Sequence, residues 1–92
     1  MKNKLARIKR LVRAGLWYVE WHCLDELTKD GFTLGDLKNA ILSTEECDEL
    51  TGDPSHIRYV LYGRALDDRS LTVVVFFRGR NVRIKTAYEP YG

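Results

Sequence analysis

The chain has 92 residues, 45% of them apolar and 30% charged, with 15 Lys and Arg against 13 Asp and Glu for a formal net charge of +2. That length suits one domain, read as residues 1–92, and that composition excludes a disordered chain. No apolar run approaches the roughly 20 residues of a membrane-spanning helix. The basic start MKNKLARIKRLVRAG lacks an apolar h-region, so we expect no signal peptide, no membrane association and a cytoplasmic protein.

Leu5, Ile8, Leu11 and Val12 recur at helical spacing among basic residues, which predicts an amphipathic helix over 2–14 ended by Gly15. An aromatic patch follows at Trp17, Tyr18 and Trp21. Trp21, Leu24 and Leu27 then repeat at spacing three, predicting a second helix over 20–30 closed by Asp30–Gly31. Thr33 and Asp36 have the spacing of a capping box. They open a third helix over 34–42 with Leu34, Leu37 and Ile41 as its stripe. Gly52–Asp53–Pro54–Ser55 reads as the connector to a sheet.

There the period changes to two. Ile57, Tyr59 and Leu61 alternate with Arg58, Val60 and Tyr62, giving a strand over 57–64. Asp67–Asp68 marks a turn. The continuous run Leu71–Phe77 has the character of a central strand. Arg78–Gly79–Arg80–Asn81 is a hairpin loop, and a last strand covers 82–88. Helices followed by hairpin-connected strands predict an α+β fold, N-terminal helices on a three- to four-stranded antiparallel sheet.

Charge follows this order. Residues 1–13 hold six basic residues and no acid, residues 19–53 ten acids and two lysines, and residues 54–92 seven basic residues and three acids. A basic sheet can hold phosphates, and Arg58, Arg64, Arg83 and Thr86 are the candidate phosphate or RNA contacts. Metal-free RNA cleavage needs a base, a cation for the developing phosphorane charge and an acid. His22 at a helix start, Glu26 one turn on, Lys85 and Tyr88 are the catalytic candidates. Each also has a plainer reading as a packed or solvated side chain. Strand parity puts Arg83 and Lys85 on one face and Thr86 and Tyr88 on the other, unless the strand is twisted or bulged.

His22 and Cys23 are adjacent and point apart, and Cys47 has no partner at ligand spacing, so no metal site is expected. Two cysteines without a CxxC spacing read as reduced thiols. There is no Gly-rich phosphate loop and no nucleophile elbow, and no cofactor is expected.

Three stretches taken in order carry a resemblance: YVEWHCLDELTKDGFTLGDLKNAIL, RYVLYGRALDDRSLTVVVFF and VRIKTAYEP. The first has a His at a helix start, an acidic helix and a short capped helix. The second has a strand, a Gly-Arg turn and a central strand. The third has a closing strand ending in Thr-x-Tyr-x-Pro. Together they resemble the domain of unknown function 4258 family from about residue 8 to Pro90. That family is similar in architecture to the RelE/ParE-type toxin fold. The resemblance implies a toxin-like component of a toxin–antitoxin pair, a metal-independent RNA endonuclease or a degenerate relative, partnered by a small Cys-rich antitoxin. The alternative is a non-catalytic protein-binding module. Family members commonly carry an Arg four residues after the His, where this chain has Glu26. A His–Glu pair cannot clamp a phosphate, which counts against nuclease activity.

Overall fold

The computed structural model describes residues 2–52 and 55–90. In chain order the elements are α1 (Lys2–Arg13), β1 (Trp17–Val19), α2 (Trp21–Lys29), α3 (Leu34–Ser43), β2 (Cys47–Leu50), β3 (Arg58–Arg64), β4 (Ser70–Arg78) and β5 (Asn81–Tyr88). The three helices and the last three strands fall where the periodicities put them. The connector Gly52–Asp53–Pro54–Ser55 lies partly outside the described residues.

Helix ends follow from local chemistry. After α1, Gly15 at φ +79° lets its N–H reach Val12 O while Leu16 N–H reaches Leu11 O. After α2 the pattern recurs: Gly31 at φ +76°, its N–H on Thr28 O, and Phe32 N–H on Leu27 O. Both are Schellman closures, and the buried pair Leu27 and Phe32 is the apolar contact that accompanies one. The capping box at α3 is present, with Asp36 N–H on Thr33 Oγ1 at 3.1 Å and Thr33 N–H on Asp36 Oδ2 at 2.8 Å. Asp36 Oδ1 also accepts Leu66 N–H at 3.0 Å, tying α3 to the β3–β4 loop.

The sheet corrects the expectation of a three- to four-stranded antiparallel meander. It has five strands in the order β1-β5-β4-β3-β2, and β1 runs parallel to β5 while the other pairs are antiparallel. The two extra strands are short. β1 is three residues of the aromatic patch, and β2 is the acidic stretch Cys47–Leu50. Neither is long or apolar enough to show a period of two. β4 is central, as its apolar run, broken by Thr72, predicts, and Leu71–Val75 are all buried.

All three helices pack on one face. Leu5, Ile8 and Val12 of α1, Cys23 and Leu27 of α2, and Leu37, Ala40 and Ile41 of α3 form one core with alternate residues of the strands. From β3 these are Tyr59 and Leu61, from β4 Leu71, Val73 and Val75, and from β5 Val82, Ile84 and Ala87. Gly63 belongs to the same row. It lies inside β3 rather than in a Gly-Arg turn, and a Cβ there would overlap the Ala40 carbonyl of α3. The glycine lets α3 lie close on the sheet. Among the described residues, no helix is long and apolar enough to cross a membrane.

Candidate nucleic-acid interface

The other face of the sheet carries no helix among the described residues, and its side chains are set by strand parity. Tyr18 pairs with Arg83 and Arg83 with Phe76. The pairing of Tyr59 with Val75 puts Arg58 beside Phe76. A row of alternating rings and guanidinium groups, Tyr18–Arg83–Phe76–Arg58, thus crosses four adjacent strands. Neighbouring strands lie about 4.8 Å apart, so each ring has a cation within reach on its flank.

The register of β5 corrects the expected split of its side chains. Val75 pairs with Ile84 but Val74 pairs with Thr86, so Lys85 is an extra residue in a β-bulge. The bulge resets the parity. Ile84 and Ala87 are buried toward the helices, while Arg83, Thr86 and Tyr88 all belong to the open face. Lys85 joins them, lining a hollow with Arg58 and Phe76. A twist or a bulge was the condition under which these residues could share a face, and the register shift supplies the bulge.

The cations of this face differ in how they are held. Arg64 is committed: its Nε lies 3.7 Å from Asp68 Oδ1 and its Nη1 donates to Asp68 O at 3.1 Å. Arg69, in the β3–β4 loop, turns instead to the helix side, bound to Asp67 at 2.8 Å and to the end of α2 through Asp30 O and Gly31 O. Among the described residues, no carboxylate lies within ion-pair distance of Arg58, Arg83 or Lys85. The Arg83 guanidinium stands 4.7 Å from the Tyr18 ring, and its buried Nε has no hydrogen-bond partner among the described residues. Toward β2 the face turns acidic. There Tyr62 Oη donates to Asp48 Oδ2 at 2.7 Å, and that carboxylate holds the phenol pKa up.

His22 and Glu26 lie elsewhere. α2 turns Cys23 and Leu27 into the core on the helix side, and His22 and Glu26 are exposed. Among the described residues, neither side chain makes a hydrogen bond or an ion pair. The structure therefore assembles Arg58, Arg83, Lys85, Thr86 and Tyr88 on one face and leaves His22 and Glu26 off it. Tyr18 and Phe76 are additions to the candidate set. The aromatic patch pointed to Tyr18, but nothing local showed that it would pair with Arg83, 65 residues away.

The basic first helix spends part of its charge on a ring of the helix side. Arg7 stands 4.3 Å and Lys4 6.0 Å from the centre of Phe77. The thiols are unsuited to chemistry: burial pushes Cys23 up to about 11 and raises Cys47 as well. Among the described residues, no group of three or more His, Cys, Asp or Glu could hold a metal ion.

The family described as Domain of unknown function (DUF4258) matches residues 20–89. No curated protein and no solved structure matches the chain.

Proposed function

The chain belongs to the Domain of unknown function (DUF4258) family, and we propose that it is a toxin-like component of a toxin–antitoxin pair that acts on RNA, holding a single strand across the open face of its sheet. One observation carries the reading: three cations without acidic partners among the described residues, Arg58, Arg83 and Lys85, stand on that face with exposed or half-exposed rings. Cations neutralise phosphates, and rings stack unpaired bases. The reading places the protein in the cytoplasm and gives it a small Cys-rich antitoxin as partner. If RNA is cleaved on this reading, Arg83 and Lys85 would stabilise phosphorane charge and Tyr88 would supply a proton, whereas His22 and Glu26 would act only on RNA that rounds the sheet edge to α2.

Binding of a short unstructured RNA across a series of salt concentrations tests this. Each neutralised phosphate contributes a slope of about 0.7 in log affinity against log salt. Arg58→Ala, Arg83→Ala and Lys85→Ala should each weaken binding and flatten that slope by about 0.7. Absent or salt-insensitive binding would remove the reading. The chemistry is scored separately: His22→Gln should cut RNA cleavage by about 10²–10⁴-fold if His22 moves the proton.

A second reading, a non-catalytic module that binds a protein on the same face, is favoured by the separation of His22 and Glu26 from the cations. It is the one left standing if the RNA titration fails.

A further inference from the structure

At one end of the open face, the start of β3 and the β4–β5 hairpin enclose a hollow of about 440 Å³. Arg58, Arg78, Lys85 and the Phe76 ring line it, with Ser55 and His56 at its edge. Among the described residues, no carboxylate lines it. Ligand pockets run from about 300 to 1,000 Å³, so the hollow has room for one small molecule. Its other features restrict which one. Three cations around one space favour an anion, and two of them are guanidinium groups, whose planar fork suits phosphate. An anion site alone has no use for an aromatic floor.

The wider hollow on the same face makes a contrast. It measures about 820 Å³, and Glu45 and Glu46 stand in its wall beside Arg64. Those acids oppose a phosphate, and Arg64 is already tied to Asp68. Tyr62 and Tyr88 give that hollow rings as well, so what sets the smaller one apart is three cations with no acid among its described lining residues.

We propose that this smaller hollow is a nucleotide pocket, taking one unstacked base on the Phe76 ring and its phosphate among Arg58, Arg78 and Lys85. The proposal rests on the RNA reading for its ligand class. Register extends it: Phe76 lies between Arg58 and Arg83, so the next phosphate along the strand meets Arg83, and the next base meets the Tyr18 ring. Stacking accepts the π face of any base, so the pocket selects unpaired nucleotides rather than a sequence, and a duplex, whose bases are already stacked, is refused.

The test is a nuclear magnetic resonance titration of the full chain with adenosine 5′-monophosphate, with inorganic phosphate and adenosine as controls. The nucleotide should bind more tightly than either control and shift the Phe76 ring together with Arg58 and Lys85. Phe76→Leu keeps apolar bulk but removes the ring. It should weaken the nucleotide by about 5- to 100-fold, the worth of one stacked base, and leave phosphate unchanged. Phe76→Tyr should restore the affinity, and Lys85→Ala should weaken nucleotide and phosphate alike. Phosphate binding as tightly as the nucleotide would reduce the pocket to an anion site and overturn the proposal. So would nucleotide shifts confined to the helix side, or no binding at all. The two readings part cleanly. Nucleotide binding without RNA binding removes the RNA reading and keeps the pocket. RNA binding that Phe76→Leu leaves untouched does the reverse.

Discussion

Asp36 joins three pieces of chain through one carboxylate. Its two oxygens accept Thr33 N–H at 2.8 Å and Leu66 N–H at 3.0 Å, and it is buried. Those two backbone donors, Thr33 first and Leu66 second, hold its pKa below the usual carboxylate value against the opposing effect of burial. A lowered folded-state pKa means stability that is fully present above the unfolded value of about 3.9 and is lost as pH falls through the folded one. Asp36→Asn keeps the shape but has only one accepting oxygen, so one of the two N–H groups loses its partner. Urea unfolding should show a loss of about 1–3 kcal/mol at pH 7. The gap should narrow as the pH falls below about 3.9, where the unfolded chain takes up a proton that the folded carboxylate resists. An Asn variant as stable as wild type at pH 7 would show that the carboxylate fastens nothing. The capping half of this arrangement was legible, because Thr33 and Asp36 stand three apart. The Leu66 half was not, since 30 residues separate donor from acceptor and no local pattern marks either. The neighbour of Arg64 was hidden for a related reason. As a sequence feature Arg64 is one more cation near a strand, and only the turn that brings Asp68 back shows that it stands beside an acid.

At the scale of elements, the long periodic segments were legible and the short ones were not. β3, β4 and β5 have seven to nine residues, enough for alternation or an apolar run to stand out. β1 and β2 have three and four, and they are strands only because β5 and β3 offer them an edge to pair with. The bulge at Lys85 belongs to the same class: a register shift is a property of two strands, visible in neither alone. Gly63 is a sharper case. In the sequence it belongs to a Gly-Arg pair that reads as a turn, yet it sits within β3 because α3 needs the space. Gly63→Ala should cost about 3 kcal/mol, since the added methyl overlaps backbone that can yield only by moving α3. Ala40→Gly in the same chain should not rescue it, because the overlap is with the Ala40 carbonyl and not with its side chain. A double variant restored to wild-type melting temperature would place the strain somewhere else.

Across the whole molecule, the basic α1 packs on the same side as the acidic helices, and only the acidic and second basic blocks of the chain part to two sides. The acidic middle segment supplies α2, α3 and the β2 edge, while cations from β3 and β5 occupy the bare side of the sheet. One side of that sheet is packed and the other is free to bind, so rigidity has to come from the packed side and from the middle of the strand order. β4 lies at that middle, with Leu71–Val75 buried and a hydrogen-bonded strand on each flank. β1 lies at the edge, paired through three residues to β5 alone, and it carries Tyr18. Opening free energies grade from near zero at edges to the global value in the core, so Leu71–Val75 amides should exchange slowest and Trp17–Val19 well ahead of them. RNA that lies along the Tyr18–Arg83 row adds contacts to β1 that the free protein lacks. Saturating RNA should therefore slow exchange in Trp17–Val19 by a larger factor than in Leu71–Val75, where opening already requires most of the fold to unfold. Leu71–Val75 amides exchanging as fast as those of Gly79 and Arg80 would contradict the strand order. Strand-edge amides that RNA leaves unchanged, in a protein that binds it, would move the RNA off this row.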